Sequence, residues 1–576
     1  MEEFSILDFL DGDNLPLKNR INKQGFYSGR NPVSANLPVV EAASTVAFIE
    51  EAFPVSLIPS SPLELGEQYR FHFDMAKCVG CQCCVVACNE QNNNPAEVNW
   101  RRVGEIEGGV YPNTRRFHLS MACNHCLDPS CLEGCPTDAY IKLENGVVKH
   151  QAEECIGCGY CTWNCPYGVP QYNPERNIVT KCDMCHERLK AGEMPACVAA
   201  CPEGAIQIEK VNINEWRANH TQADAPYVPD SGMTISTTRI TLPEDGPGDM
   251  VRANRHHIEP EKPHTSLIFM TVLTQLAAGG FMTLWLGELL SPVISFLKPL
   301  QGFLSYGATG MLVVTGIALS AAIFHLGRPL YAYKALRMWK RSWLSREVLL
   351  FALFSKAGAL YAGLELAKHF WHWNISGPFM ILLGAIVVLL GLAGVYASAK
   401  IYLVPARPAW NTIRTPLRFF LTGFILGPLF ALVVYSFYVS NISMPQSLMK
   451  GPVFSLLIVS GLAGFLQLFV LLSRLFSLQW TSSIELYGSS FLLIHRFKKH
   501  FIGRIALLIL GSFVFPLALF FCLEEGKLST VSFVGMSVAS FVISLLGELL
   551  GRYLFFVTVV PKNIPGAFFA AKGAGH

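Results

Sequence analysis

From Pro263 onward the chain alternates long apolar runs with short basic connections. The runs near 265–290, 303–325, 344–366, 377–402, 416–440, 453–477, 501–523 and 531–558 are each long enough to cross about 30 Å of hydrocarbon as a helix. A buried helix of a soluble protein keeps a polar stripe at helical period, and a run such as Met380–Leu392 has none. The pattern therefore predicts an all-α bundle of eight membrane-spanning helices that returns the chain to the side it started from, with residues 264–562 as the anchor and 563–576 as a tail.

Ahead of the spans the pattern changes. Residues 1–66 are polar and punctuated by Pro16, Pro32, Pro38, Pro54, Pro59 and Pro62, which predicts an extension of short helix and extended chain. Residues 67–210 hold all but one of the cysteines and predict a small α+β domain of ferredoxin-like type. Residues 211–263, with Pro226, Pro229, Pro243, Pro247 and Pro260 and few apolar positions, read as a tether. Neither a charged-then-apolar signal peptide nor a twin-arginine signal opens the chain.

Charge sharpens the division. Residues 1–262 carry 22 Lys and Arg against 35 Asp and Glu, and residues 263–576 carry 23 against 7, so a formal +3 divides into −13 and +16. Around the spans, fifteen basic residues flank the cysteine-domain side, from Arg328, Lys334, Arg337, Lys340, Arg341 and Arg346 to Arg496, Lys498, Lys499 and Arg504. The opposite loops hold Lys298, Lys368, Lys450 and Lys527. By the positive-inside tendency the cysteine domain is expected on the cytoplasmic face of the inner membrane. Membrane lipid is the expected surrounding, and nucleic acid is not an expected partner.

Sixteen of the eighteen cysteines fall into four groups. They are Cys78-x2-Cys81-x2-Cys84-x3-Cys88, Cys123-x2-Cys126-x4-Cys131-x3-Cys135-Pro, Cys155-x2-Cys158-x2-Cys161-x3-Cys165-Pro, and Cys182-x2-Cys185-x11-Cys197-x3-Cys201-Pro. Three closely spaced thiolates wrap one [4Fe–4S] cubane, and the fourth, three residues on, reaches a partner cluster. Zinc needs only two CxxC pairs, and a reducing cytoplasm disfavours disulfides, so the pattern predicts four [4Fe–4S] clusters. Four motifs make two crossed pairs, and the spacing leaves the pairing open. Cys83 fits no register, and Cys522 reads as an apolar core residue of the seventh span.

The segments KCVGCQCCVVAC, CNHCLDPSCLEGCP, CIGCGYCTWNCPYGVPQYN and KCDMCHERL…PACVAACP resemble the iron–sulfur subunit of the dimethyl-sulfoxide reductase family, over about residues 69–210. The resemblance implies nesting, first motif with fourth and second with third. The implied sets are Cys78, Cys81, Cys84 and Cys201; Cys182, Cys185, Cys197 and Cys88; Cys123, Cys126, Cys131 and Cys165; and Cys155, Cys158, Cys161 and Cys135. Some relatives have Trp in place of Cys161 and a three-iron cluster there, so Cys161 implies that all four clusters are four-iron.

Ionisable groups inside spans are functional candidates by default, and here they are few: Lys356, Glu365, Glu485, Glu548 and Arg552, with His325 and Glu347 at span ends. Glu548 and Arg552 stand at i,i+4, as for a pair along one helix, and Glu347 in a first helical turn suits the helix dipole. Haem between spans needs paired histidines at depth. His325 stands alone, and His369, His372, His495 and His500 fall in loops or at ends, so no haem is expected and a quinol would exchange electrons with a cluster directly. LTQLAAGGF, HLGRP, SREVLLF and GELLGRYLFF are similar to the anchor subunit of the same family over about 264–560. That similarity implies a menaquinol-type site involving His325, with Glu347 and Arg328 nearby, closest to the Cys155 set. It implies a non-molybdenum subunit of an oxidoreductase serving anaerobic respiration, which passes electrons from the quinone pool to a separate molybdopterin-containing catalytic subunit. The same architecture suits a polysulfide, tetrathionate or nitrite reductase, or flow in reverse toward quinone. A redox-driven ion pump would need carboxylates and lysines in a continuous line, and residues 263–576 hold seven acids.

Overall fold

The computed structural model describes residues 57–244, 250–253, 258–442, 444–479, 483–526 and 529–564. Most of the expected extension and tail, residues 1–56 and 565–576, lies outside them.

The cysteine domain is built on short strands that close its ends together. Strand β1 (Glu67–Asp74) runs into the first cysteine motif, strands β2 (Arg102–Gly108) and β3 (Arg115–Met121) pair antiparallel, and two hairpins follow, β4 (Tyr140–Lys142) with β5 (Val148–His150) and β6 (Gln171–Asn173) with β7 (Ile178–Thr180). Strand β8 (Ile206–Asn212) leaves the fourth motif and pairs antiparallel with β1, Phe73 opposite Ile206 and Glu67 opposite Asn212. Phe71 and Phe73 of β1 and Ile206 and Ile208 of β8 are buried, which fixes that register. The ladder lays the start of the first motif beside the end of the fourth.

Residues 211–241 do not run as a tether. The Asn212 side chain accepts from the amides of Asn214 and Glu215 at 3.0 and 3.3 Å and caps the helix Ile213–Asn219. Trp216 of that helix is buried, donates Nε1–H to the Ser236 carbonyl at 2.8 Å, and has the Arg70 guanidinium 4.5 Å above its ring. Strand β9 (Arg239–Thr241) then joins β1 in parallel, and β10 (Val251–Arg252) joins β2. One indole and a set of hydroxyls, Thr237 to the Asn124 carbonyl at 2.6 Å and Thr238 to the Asn124 side chain at 3.0 Å, hold the segment down. Little of that is visible as apolar sequence.

Among the described residues eight helices have the length and apolar composition to cross a membrane: Thr265–Leu290, Ser295–Ile323, Trp343–Phe370, Gly377–Tyr402, Arg414–Ile442, Gln446–Leu475, Lys498–Glu524 and Thr530–Val557. Exposed Leu382 and Leu389 face outward on the fourth, as lipid contact requires, while Val387 and Val395 face the core. Glu485 lies in a separate short helix, Ile484–Phe491, and not in a span.

The connection between spans two and three grips the cysteine domain. Backbone amides of Gly327 and Arg328 donate to the carbonyls of Gly157 and Ile156 at 3.4 and 3.0 Å, and the Met338 amide donates to the Pro136 carbonyl at 3.3 Å. Arg328 donates to the Ala152 carbonyl at 2.8 Å, Lys334 to Glu154 at 3.1 Å and Arg341 to Asp138 at 3.0 Å, and Arg337 also pairs with Glu154. Beyond the eighth span Asn563 accepts from Arg102 at 3.3 Å, and Ile564 enters the apolar core of the cysteine domain.

At this contact glycine meets glycine, and a Cβ on Gly157 would lie 2.9 Å from Gly327 Cα. A Cβ on Gly327 would lie 2.2 Å from the Asn177 carbonyl oxygen and 2.8 Å from the Tyr172 hydroxyl. Gly327→Ala is therefore expected to weaken docking by about 1–3 kcal/mol, the usual cost of overpacking. Limited proteolysis of the full chain in membranes checks this: faster release of the cysteine domain is the expected result, and an unchanged rate contradicts it.

Candidate functional site

Each cysteine motif bends its backbone in the same way. The residue two after the first cysteine has positive φ in all four: Gly80 at 72°, His125 at 45°, Gly157 at 71° and Met184 at 61°. That turn aims an amide back at the sulfur, His125 N–H to Cys123 Sγ at 3.5 Å, Gly157 to Cys155 at 3.4 Å and Met184 to Cys182 at 3.3 Å. After the last cysteine of the second, third and fourth motifs a second left-handed residue follows, Asp138, Gly168 and Gly204, and the next amide returns, Ala139 to Cys135 and Ala205 to Cys201, both at 3.3 Å. Two of the first four positions are not glycine, so this repeat is hidden from the sequence.

The β1–β8 ladder and the two hairpins then bring the cysteines into four sets. Cys78, Cys81, Cys84 and Cys201 line one small cavity, and Cys123, Cys126, Cys131 and Cys165 line another. Cys88 lies in the field of Cys197 and Cys185, and Cys182 in that of Cys88 and Cys197. Cys155, Cys158 and Cys161 each lie in the field of Cys135. Among the described residues no three Cys, His, Asp or Glu side chains close on a single-ion site. The sulfurs in the two cavities instead surround a space.

Burial raises these thiols. It pushes Cys78 up to about 11 and Cys88 and Cys126 to about 12, with neighbouring sulfurs adding to the rise. Four thiolates gathered out of water need a strongly cationic centre among them, and amide donors aimed at sulfur suit a sulfur that carries charge. Cluster iron meets that need, so the donor sets fit the expected group.

One buried side chain stands at each joint between sets. Arg101, 2% exposed, faces Cys84, Cys88, Cys182 and Cys197 and donates to Ser120 Oγ at 3.1 Å. Lys181, 3% exposed, donates to the Cys182 carbonyl at 2.8 Å, to Cys123 Sγ at 3.5 Å and to the Val148 carbonyl. Burial works against the Lys181 charge, but Cys123, Cys131 and Cys182 outweigh it and raise its pKa. Tyr140 lies in the field of Cys161, Cys131 and Cys135. The sets thus follow one another as Cys78, Cys182, Cys123 and Cys155.

The last set abuts the spans. Helix Tyr160–Asn164, between Cys158 and Cys165, buries Tyr160 and Trp163 in the core of the anchor. The Trp163 ring centroid is 5.4 Å from His264 and Trp410, 5.6 Å from Tyr402 and 6.2 Å from Phe556. Glu347, 2% exposed, lies in electrostatic reach of Tyr160 and Tyr402 and beside Ser398. His325, half-buried, donates Nδ1–H to the Ala322 carbonyl and lies in the field of His264. Burial lowers its pKa to about 4, which leaves Nε2 unprotonated at neutral pH. Arg328 is committed to the docking contact. His264 and Trp163 stand outside the residues that the sequence singles out, although a tryptophan between two cysteines of one motif is a usable signal. Cys83 is exposed, and Cys522 packs partly buried against the anchor core.

Two family descriptions match the chain: a 4Fe-4S dicluster domain over residues 114–211, and the DMSO reductase anchor subunit (DmsC) over residues 260–557. Among similar proteins, the B subunit of anaerobic dimethyl sulfoxide reductase from Haemophilus influenzae is 40% identical over 178 residues, 29% of this sequence and 86% of that one. Its counterpart in Escherichia coli K12 is 40% identical over 161 residues, 27% of this sequence and 78% of that one. The nitrate-inducible formate dehydrogenase iron-sulfur subunit of E. coli K12 is 33% identical over 279 residues, 43% of this sequence and 92% of that one.

Lys181→Gln removes a buried positive charge between the Cys123 and Cys182 sets, and a reduced cluster carries one more negative charge than an oxidised one. Redox titration followed by electron paramagnetic resonance is expected to show two iron–sulfur midpoint potentials falling by tens of millivolts, with the other signals in place. Unchanged potentials contradict the assignment of the joint.

Proposed function

The chain belongs to the DMSO reductase anchor-subunit family, with an iron–sulfur electron-transfer domain joined ahead of the anchor, and on that footing we propose that it oxidises a menaquinol-type quinol and delivers the electrons to a separate molybdopterin-containing catalytic subunit. Each of the four cysteine sets holds one [4Fe–4S] cluster in this reading, and the complex is dimethyl-sulfoxide reductase-like and serves anaerobic respiration. The observation that carries the proposal is the helix Tyr160–Asn164, which sets the Cys155 loop against the spans with His264, His325 and Glu347 around it. Because the anchor match over 260–557 is to the anchor subunit of a reductase, this reading takes quinol as the electron donor.

Quinol oxidation releases two electrons and two protons. Because the Ala322 carbonyl holds the proton on Nδ1, the His325 Nε2 lone pair accepts the hydrogen bond of one quinol hydroxyl. Glu347 provides a second acceptor, buried where no bulk water competes. The aromatic wall of Trp163, Tyr402 and Trp410 keeps water from the reacting ring. Iron–sulfur clusters bound at the four sets supply one-electron steps. Arg328 positions the loop through its bond to the Ala152 carbonyl. At the far end Cys81 is exposed, with Val79 and Val86 59% and 61% exposed beside it, a surface suited to the catalytic subunit.

The cysteine domain is proposed on the cytoplasmic side. Arg328, Lys334, Arg337 and Arg341 are committed to docking and Arg418 and Arg504 lie within spans, but fifteen basic residues less these six leave nine against the four opposite. Green fluorescent protein fused after His576 is expected to fluoresce, and alkaline phosphatase at the same place to be inactive. The reverse pair of results overturns the orientation.

His325→Ala is expected to abolish quinol oxidation in membranes and to leave every iron–sulfur signal intact, whereas undiminished turnover refutes the site. In the unmodified protein, the acid limb assigned to His325 lies near its pKa of about 4 and not near 6.5. Turnover should therefore persist from neutral pH down to about 5 and fall below it, as protonation consumes the lone pair.

A further inference from the structure

Spans five to eight converge on a second buried polar group that quinol chemistry does not use. Arg504 of span seven donates to Glu548 of span eight at 2.5 Å, with the two side chains 2% and 3% exposed. Glu548 also accepts from Thr422 of span five at 2.7 Å and from Gln467 of span six at 3.3 Å. The expected pairing of Glu548 with Arg552 along one helix does not form. Arg552 crosses to Gln275 of span one at 2.8 Å, with its guanidinium 3.7 Å from the Phe419 ring. Arg418 donates to the Gly551 carbonyl at 3.3 Å and lies in the field of Arg474, Arg552, Arg504 and Glu548.

Three guanidiniums, Arg418, Arg504 and Arg552, thus surround one carboxylate that only Arg504 bonds, at low dielectric. Nε and Nη1 of Arg504 and Nε of Arg552 are buried donors without a hydrogen-bond partner, and such groups are costly unless something answers them. Gly547 and Gly551 make room for the arrangement. A Cβ on either would fall 3.0 and 2.6 Å from Arg504 Nη1 and Nε, so the guanidinium lies flush on the helix. At a rise of about 1.5 Å per residue, Arg418, Arg504 and Arg552 lie about 6–9 Å inside the span ends on the cysteine-domain side. Arg418 is half-buried, and Leu417 and Ile413 beside it are 45% and 75% exposed.

We infer that this cluster binds a phosphate oxyanion, carried by the headgroup of an anionic phospholipid in the leaflet on the cysteine domain's side. Basic pockets between spans recognise such headgroups, and the apolar flank at Leu417 and Ile413 suits acyl chains where free phosphate would gain nothing.

The test uses the full chain with its catalytic partner, delipidated in detergent and supplied with phosphatidylglycerol, phosphatidylcholine or inorganic phosphate. Native mass spectrometry reads bound lipid, and thermal melting reads stabilisation. Phosphatidylglycerol is expected to be retained over phosphatidylcholine and to raise the melting temperature, with Arg418→Gln cutting its retention about fivefold. The double change Arg504→Gln with Glu548→Gln removes the ion pair as a unit and is expected to lower retention too, which keeps the test decisive if Arg418→Gln fails to accumulate. An equal shift from inorganic phosphate assigns the site to the free anion and overturns the lipid. Equal retention of both lipids, or retention untouched in the variants, overturns the site.

Discussion

The arrangement depends on one close backbone contact, Gly157 of the third cysteine motif against Gly327 between spans two and three. The Ile156 and Gly157 carbonyls accept from the amides of Arg328 and Gly327, and a Cβ on Gly157 would fall 2.9 Å from Gly327 Cα, so the two backbones come this close because neither glycine carries a side chain. That contact sets the depth at which Tyr160 and Trp163 enter the anchor core. It thereby fixes the separation between the Cys155 set and any molecule bound among His264, His325 and Glu347. In the ion pairs around it, Lys334 and Arg337 on Glu154 and Arg341 on Asp138, both carboxylates are partly exposed to water, so the pairs contribute little energy of their own. Their role is register.

Opposite charge in the two halves follows from the same docking. Carboxylates on the cysteine domain meet guanidiniums and ammoniums on the spans, so part of the basic excess around the bundle has a cause other than membrane topology. Inside the cysteine domain the problem is reversed, because sixteen sulfurs crowd a core too small to solvate them. Amides turned by left-handed residues and the two buried cations Arg101 and Lys181 answer it. Both cations stand between sets, where one charge acts on two neighbours at once.

Much of this is legible in the chain. Cysteine spacing and apolar run length are local properties, and the four motifs and eight spans follow from them directly. Pairing between motifs is not local: it is set by the register of β1 on β8, strands separated by the whole domain. The segment after Lys210 misleads for a related reason, since its burial rests on Trp216 and on hydroxyl-to-carbonyl bonds that composition does not register. Glu548 and Arg552 show the limit of i,i+4 logic inside a bundle. The helix offers them to each other, but facing helices supply Arg504 and Gln275 with better geometry. His264 precedes the first span by one residue and belongs to no motif, and only the fold of Trp163 onto it gives it significance.

Arg552 and Tyr402 place the two membrane-side groups in one electrostatic neighbourhood. Arg552 lies over Phe419 and near Phe555, and it acts on Tyr402, which in turn lies in the field of Glu347. A single layer of aromatic rings therefore separates the guanidinium cluster from the proposed quinol site, and aromatic rings screen charge poorly compared with water. The cluster and the proposed quinol site share no residue, and Tyr402 is the group on which Arg552 of the one and Glu347 of the other both act.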